Sequence, residues 1–116
     1  MKFALLVRAA PPGPPNALAF AVEALSQGHE IVQIFFQGDG VHAGNRLAAP
    51  PVAEANPVAA WSRFAAERGV ELVLCSTAGL RRGVREANLA EGFRIGGVGQ
   101  WLEAALAADR VVTFGV

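Results

Sequence analysis

The sequence predicts an α/β fold, with helices covering both faces of a mainly parallel sheet. Three observations carry this. The strand candidates are near-continuous apolar runs, such as Phe3-Ala4-Leu5-Leu6-Val7 and Val70–Leu74, where a half-exposed strand would alternate. Stretches with apolar residues at helical spacing lie between them. Glycine and proline mark the changes from one to the other. Right-handed crossovers then gather the strand carboxyl ends on one rim, where open sheets of this kind bind and react.

Each element follows from local chemistry. Lys2–Val7 is the first strand, ended by Ala9-Ala10-Pro11-Pro12-Gly13-Pro14-Pro15, which continues neither a strand nor a helix. Pro15 or Asn16 suits a helix start, and the helix to Gln27 places Leu18, Ala21, Val22 and Leu25 on one face, with Gly28 as its stop. Phe20 projects off that stripe and suggests a second buried surface. Glu30–Phe36 is the second strand, followed by a tight loop at Gln37-Gly38-Asp39-Gly40. Val41–Asn56 shows no period and reads as loop with one helical turn at most. Asn56 caps a helix with Pro57 at its first position; Val58, Trp61 and Ala65 face inward and Gly69 ends it after Arg68. The third strand, Val70–Leu74, delivers Cys75 at its carboxyl end. Ser76 and Thr77 offer capping hydroxyls to a short helix over Ala78–Gly83. Val84–Ile95 is ambiguous, with a short strand at Phe93–Ile95. Gly96-Gly97-Val98-Gly99 leads into a helix with Val98, Trp101, Leu102 and Ala105 on one face, and Arg110–Phe114 is the last strand.

At 116 residues the chain makes one domain over 1–116, with room for a single core. Its 53% hydrophobic and 17% charged residues exclude a disordered chain. Ten basic residues balance ten acidic ones, so charge points to neither nucleic acid nor a membrane surface as a direct partner. So apolar a composition in a small domain argues for an oligomer. The apolar start, Phe3–Val7, is broken by Arg8 and is too short for a signal peptide, and no stretch reaches transmembrane length. One cysteine forms no internal disulfide, so a reducing cytoplasm is the expected compartment.

That cysteine is the chief candidate for chemistry. A thiol between a strand end and a helix start meets free backbone N–H groups and the positive end of the helix dipole, and both favour the nucleophilic thiolate. Arg81 and Arg82 follow within two turns and add positive potential where they turn toward it, although such a pair also reads as a solvated face. With no second cysteine to resolve a disulfide, the partner thiol must belong to another molecule. The bland alternative stays open: a lone thiol at a strand end is often a small buried hydrophobe. Asp39 is a candidate acid or base near Cys75, or a residue supporting the Gly38–Gly40 turn. Gly96–Gly99 lacks the spacing of a dinucleotide fingerprint, and it follows no strong strand. His29 and His42 lack metal-ligand spacing and read as loop and strand-start residues. No cofactor is expected.

Cys75, Ala78, Arg81, Arg82 and Gly83 reproduce a Cys-x-x-Ala-x-x-Arg-Arg-Gly segment, and the chain resembles the DsrE/TusD family there. The likeness runs through Gly28-His29-Glu30, Phe35-Phe36, Gly38-Asp39-Gly40-Val41, Trp61, Gly69-Val70-Glu71-Leu72, Asn88-Leu89, Gly97-Val98-Gly99-Gln100 and Ala108–Val112. The resemblance implies a five-stranded α/β/α sandwich and a sulfurtransferase whose Cys75 carries sulfane sulfur as a persulfide. It implies a TusA-like donor, a DsrC/TusE-like acceptor, and DsrF/DsrH (TusC/TusB)-like sister subunits in a hexamer. The relay would serve 2-thiouridine formation in tRNA or dissimilatory sulfur oxidation. Three features depart from the family: Gly38 replaces an aromatic residue, Gly13-Pro14-Pro15 replaces a Tyr-Gly-like element, and the segment from Gly83-Val84 to Asn88-Leu89 is much shorter. The rival from another class is a non-catalytic subunit that completes a ring. A carrier calls for a solvent-reachable Cys75.

Overall fold

The apolar runs become the strands of one sheet, in a computed structural model that describes residues 1–10, 16–48 and 50–115. Strands β1 (Lys2–Val7), β2 (Glu30–Phe36), β3 (Leu72–Cys75), β4 (Phe93–Gly96) and β5 (Arg110–Phe114) form a five-stranded sheet in the order β4-β3-β2-β1-β5. Every pairing is parallel. The helices are α1 (Ala17–Ser26), α2 (Pro57–Arg68), α3 (Ser76–Arg82) and α4 (Val98–Ala107). None of them is long and apolar enough to cross a membrane. The expected Pro-rich break at 11–15 lies outside the described residues.

The strand order explains the layers. From β1 to β4 the chain steps across the sheet in one direction, so right-handed crossovers place α1 and α2 on one face. The step from β4 back to β5 reverses direction and lands α4 on the other. Alternation sends Phe36 and Phe35 to opposite faces. Phe36 meets Trp61 of α2 and Phe93, with ring centroids 5.1 and 5.0 Å away. Phe35 instead stacks on Trp101 of α4 at 5.8 Å. The result is the expected α/β/α sandwich. Phe35, Phe36, Leu5, Ile34, Leu72 and Leu74 are fully buried at its centre.

The helix ends follow their sequence signals. The Asn16 and Asn56 side chains accept hydrogen bonds from the first-turn N–H groups of α1 and α2, and Gly69 closes α2 in the left-handed region at φ 66°. Two inward faces differ in part from expectation. In α1, Leu18, Ala21 and Leu25 turn to the core as expected, with Ala17 and Ala24 beside them, while Val22 is 41% exposed. Phe20, off the expected stripe, packs on Phe3 and Phe114 of the same chain, at 5.5 and 5.6 Å. In α4, Trp101 and Ala104 turn toward the sheet, and Val98, Leu102 and Leu106 face outward, 56%, 57% and 77% exposed. Both helices are apolar nearly all round, so periodicity marks no single inward stripe.

Candidate functional site

β3 is buried along its whole length and ends on Cys75, which is also the N-cap residue of α3, with φ −61° and ψ 121°. Strand and helix therefore join with no loop between them. Ser76 and Thr77, expected as caps, are already helical, and no side chain caps α3. The amides opening this helix lack intrahelical acceptors. Cys75 pairs in register with Gly96 of β4, so the two strand ends share one stretch of rim. Solvent reach is where expectation fails. The thiol residue is only 5% exposed and belongs to the core cluster with Val73, Leu74 and Ala78. The reason is tertiary: the corner joins the core cluster and is flanked by β4, with which Cys75 pairs through Gly96.

The supporting residues lie elsewhere. Arg82 donates from Nε to Asp39 Oδ1 at 2.9 Å, and its guanidinium also reaches the Ala78 carbonyl at 3.3 Å. At a rise of about 1.5 Å per residue, Arg82 sits about 10 Å along α3 from Cys75. Its charge is spent on Asp39 rather than on the thiol. The hydrogen bond and charge of Arg82 hold the Asp39 carboxyl below the usual carboxylate range, so Asp39 is an ionised tether and a poor acid or base. Arg81 is exposed and makes no side-chain hydrogen bond or ion pair among the described residues. Of the four candidates, the structure joins only Asp39 with Arg82.

That pair fastens α3 to the segment Gly38–Gly44, a 3-10 helix where a tight loop was expected. The turn lies directly on the sheet end. A Cβ on Gly40 would overlap the Val7 carbonyl oxygen and lie 2.8 Å from its carbon, and one on Gly44 would press on Phe93 at 3.1 Å. Glycine at 40 and 44 is thus a packing requirement. The short segment after Gly83 is also tightly tied. Asn88 accepts from the Arg85 N–H at 2.8 Å and donates to the Gly83 carbonyl and the Asn45 side chain, each at 3.0 Å. Residues 86–88 make a single 3-10 turn, and Val84 before it is buried, its N–H donating to the Gly79 carbonyl at 2.9 Å.

The glycine run at 96–99 follows the short strand expected at Phe93–Ile95: β4 runs into Gly96, and Gly97 caps α4. Its role is close packing. A Cβ on Gly96 would overlap Oε1 of Gln100 and lie 2.7 Å from Val73 Cγ1. Sequence reasoning singled out no role for Gln100; its place in the first turn of a helix leaving the rim was the available signal. His29 lies edge-on to Phe3 and 3.3 Å from the amino terminus, and His42 is part of the 3-10 helix.

The sequence profile of the DsrE/DsrF-like family matches residues 1–114. The chain belongs to this family. It is 38% identical over 129 aligned positions to the DsrE protein of Allochromatium vinosum, covering 99% of each chain. It is 38% identical over 128 positions to a protein of Salmonella newport named sulfurtransferase TusD, covering 98% of this chain and all of the other. Both alignments are longer than the 116 residues here, so these relatives carry residues that this member of the DsrE/DsrF-like family lacks. Among solved structures, the ychN protein of E. coli superposes with a TM-score of 0.84 at 26% identity, covering 98% of this chain and 99% of that one.

Proposed function

We propose that this protein is a sulfurtransferase that carries sulfane sulfur on Cys75. The observation that carries the proposal is the position of its single cysteine: at the strand-to-helix corner of the sheet rim, in a chain whose full-length relatives include sulfurtransferases. The Cys75 thiolate attacks the terminal sulfur of a donor persulfide. An S–S bond forms on Cys75, the donor's own S–S bond breaks, and the donor leaves as a thiolate. Attack by an acceptor thiolate repeats the exchange and restores Cys75. Each step conserves charge and oxidation level, so no cofactor is required.

Burial of the thiol shapes the cycle. A persulfide in a 5% exposed site is shielded from small thiols and oxidants, and it is handed on when the rim opens against a docked partner. The donor is a TusA-like protein and the acceptor a DsrC/TusE-like protein, in the cytoplasm. The acceptor decides whether the sulfur ends in tRNA 2-thiouridine or in dissimilatory sulfur oxidation. DsrF/DsrH (TusC/TusB)-like sisters, or further copies of this chain, cover the outward side of α4, where Val98, Leu102 and Leu106 stand exposed one turn apart.

One observation favours the rival reading, a structural subunit: the same burial of Cys75. Labelled sulfur on a TusA-like donor separates the two. A carrier moves the label onto itself and then onto an acceptor, and Cys75→Ser stops both steps. A structural subunit takes no label, and its Cys75→Ser variant behaves as wild type in the assembled complex.

A further inference from the structure

We propose that Gln100 is the positioning residue that holds the outer sulfur of a Cys75 persulfide, an inference that rests on the carrier reading above. Paired residues of adjacent parallel strands direct their side chains to the same face, so Cys75 and a side chain at position 96 would stand side by side. Position 96 is glycine, and the space its side chain would fill holds the terminal amide of Gln100 instead. Val73, two residues before Cys75 and on the same face, forms the other wall of that space. The Gln100 amide therefore occupies the side-chain place on β4 next to Cys75, on strands that run about 4.8 Å apart.

Three properties suit Gln100 to this role. Its side-chain amide makes no hydrogen bond among the described residues, so its donors are uncommitted. Gln100 is exposed where Cys75 is buried, so it is a polar group that an incoming sulfur meets near the thiol. A persulfide extends the thiol by one S–S bond of about 2 Å, which brings its terminal sulfur within reach of the amide. Half a turn of the amide then presents Nε2–H to that anionic sulfur, and a hydrogen bond to a charged acceptor is the stronger kind. The cationic candidates, by contrast, lie at the far end of α3. A neutral donor also holds the sulfur without fixing it, as a relay requires.

The test uses the full chain and the variants Gln100→Met, which keeps length and loses the donor, and Gln100→Glu, which places a carboxylate in the same space. Unchanged thermal melts verify folding, as expected for an exposed helix position. Gln100→Met should lose its loaded sulfur to a small thiol about fivefold to tenfold faster than wild type. Gln100→Glu should slow alkylation of Cys75 by anionic iodoacetate about tenfold more than alkylation by neutral iodoacetamide, a selectivity that a merely structural role would not produce. Variants that match a normally loading wild type in both assays overturn this inference alone. A wild type that takes up no sulfur overturns the carrier reading and this inference together.

Discussion

Asp39 and Arg82 show how a residue's role depends on what it faces. Arg82 falls in a segment that, in sequence, reads as thiol support, yet its guanidinium turns to Asp39 at 2.9 Å and leaves Cys75 alone. The pair's effect on stability has a definite sign with pH. The folded-state pKa of Asp39 is lowered by Arg82, so the pair's contribution is present above the ordinary carboxylate pKa of about 4 and is lost as pH falls through the lowered value. Asp39→Asn should thus melt slightly below wild type at pH 7, and the gap should narrow as pH drops below about 4. A gap that is constant across this range would mean that the pair contributes nothing. Cys75 itself was legible as the reactive candidate from its type and its place before Ser76. Its burial was not, because exposure at a corner is set by elements distant in sequence.

The elements were the most legible part. Asn16, Asn56, Pro57, Gly28 and Gly69 carry their roles in their own chemistry, and the helices they bound stop within a residue or two of the expected places. What failed was Val22 in α1 and most of the inward face of α4, where apolar residues surround the helix and only the tertiary partner decides. The Gly38–Gly44 turn marks another limit: its glycines announced a turn, but not that the turn would lie flat on the end of β1. Gly40→Ala tests that contact. Its Cβ has nowhere to go without moving the turn off the Val7 carbonyl, so the variant should lose about 1–3 kcal/mol, the usual cost of overpacking. Urea unfolding should show a lower midpoint with an unchanged slope. An unshifted midpoint would mean that the turn yields freely.

At the scale of the whole molecule, the two sheet faces are unequally clad. α1 and α2 share one face, while α4 alone lies over β1 and β2 on the other and turns Val98, Leu102 and Leu106 outward. The composition had already argued for an oligomer, and the outward side of α4 is an apolar surface suited to one. The doubly substituted Leu102→Asp, Leu106→Asp chain should keep its fold and lose assembly, read as a fall in mass by light scattering at fixed concentration. A wild type that is monomeric at the same concentration would contradict cover of α4 by further copies of this chain and leave that surface to the sister subunits. The order of the sheet, β4-β3-β2-β1-β5, brings Cys75, Gly96 and Gln100 to one stretch of rim from segments far apart in the chain.

The central claim is that Cys75 carries sulfur, and intact-mass spectrometry tests it most directly. After incubation with a persulfide donor and removal of excess reagent, the wild-type chain should gain the mass of one sulfur atom, reversibly on adding a reductant, and Cys75→Ser should gain none. A wild-type mass that stays unchanged, or an equal gain in Cys75→Ser, would contradict it.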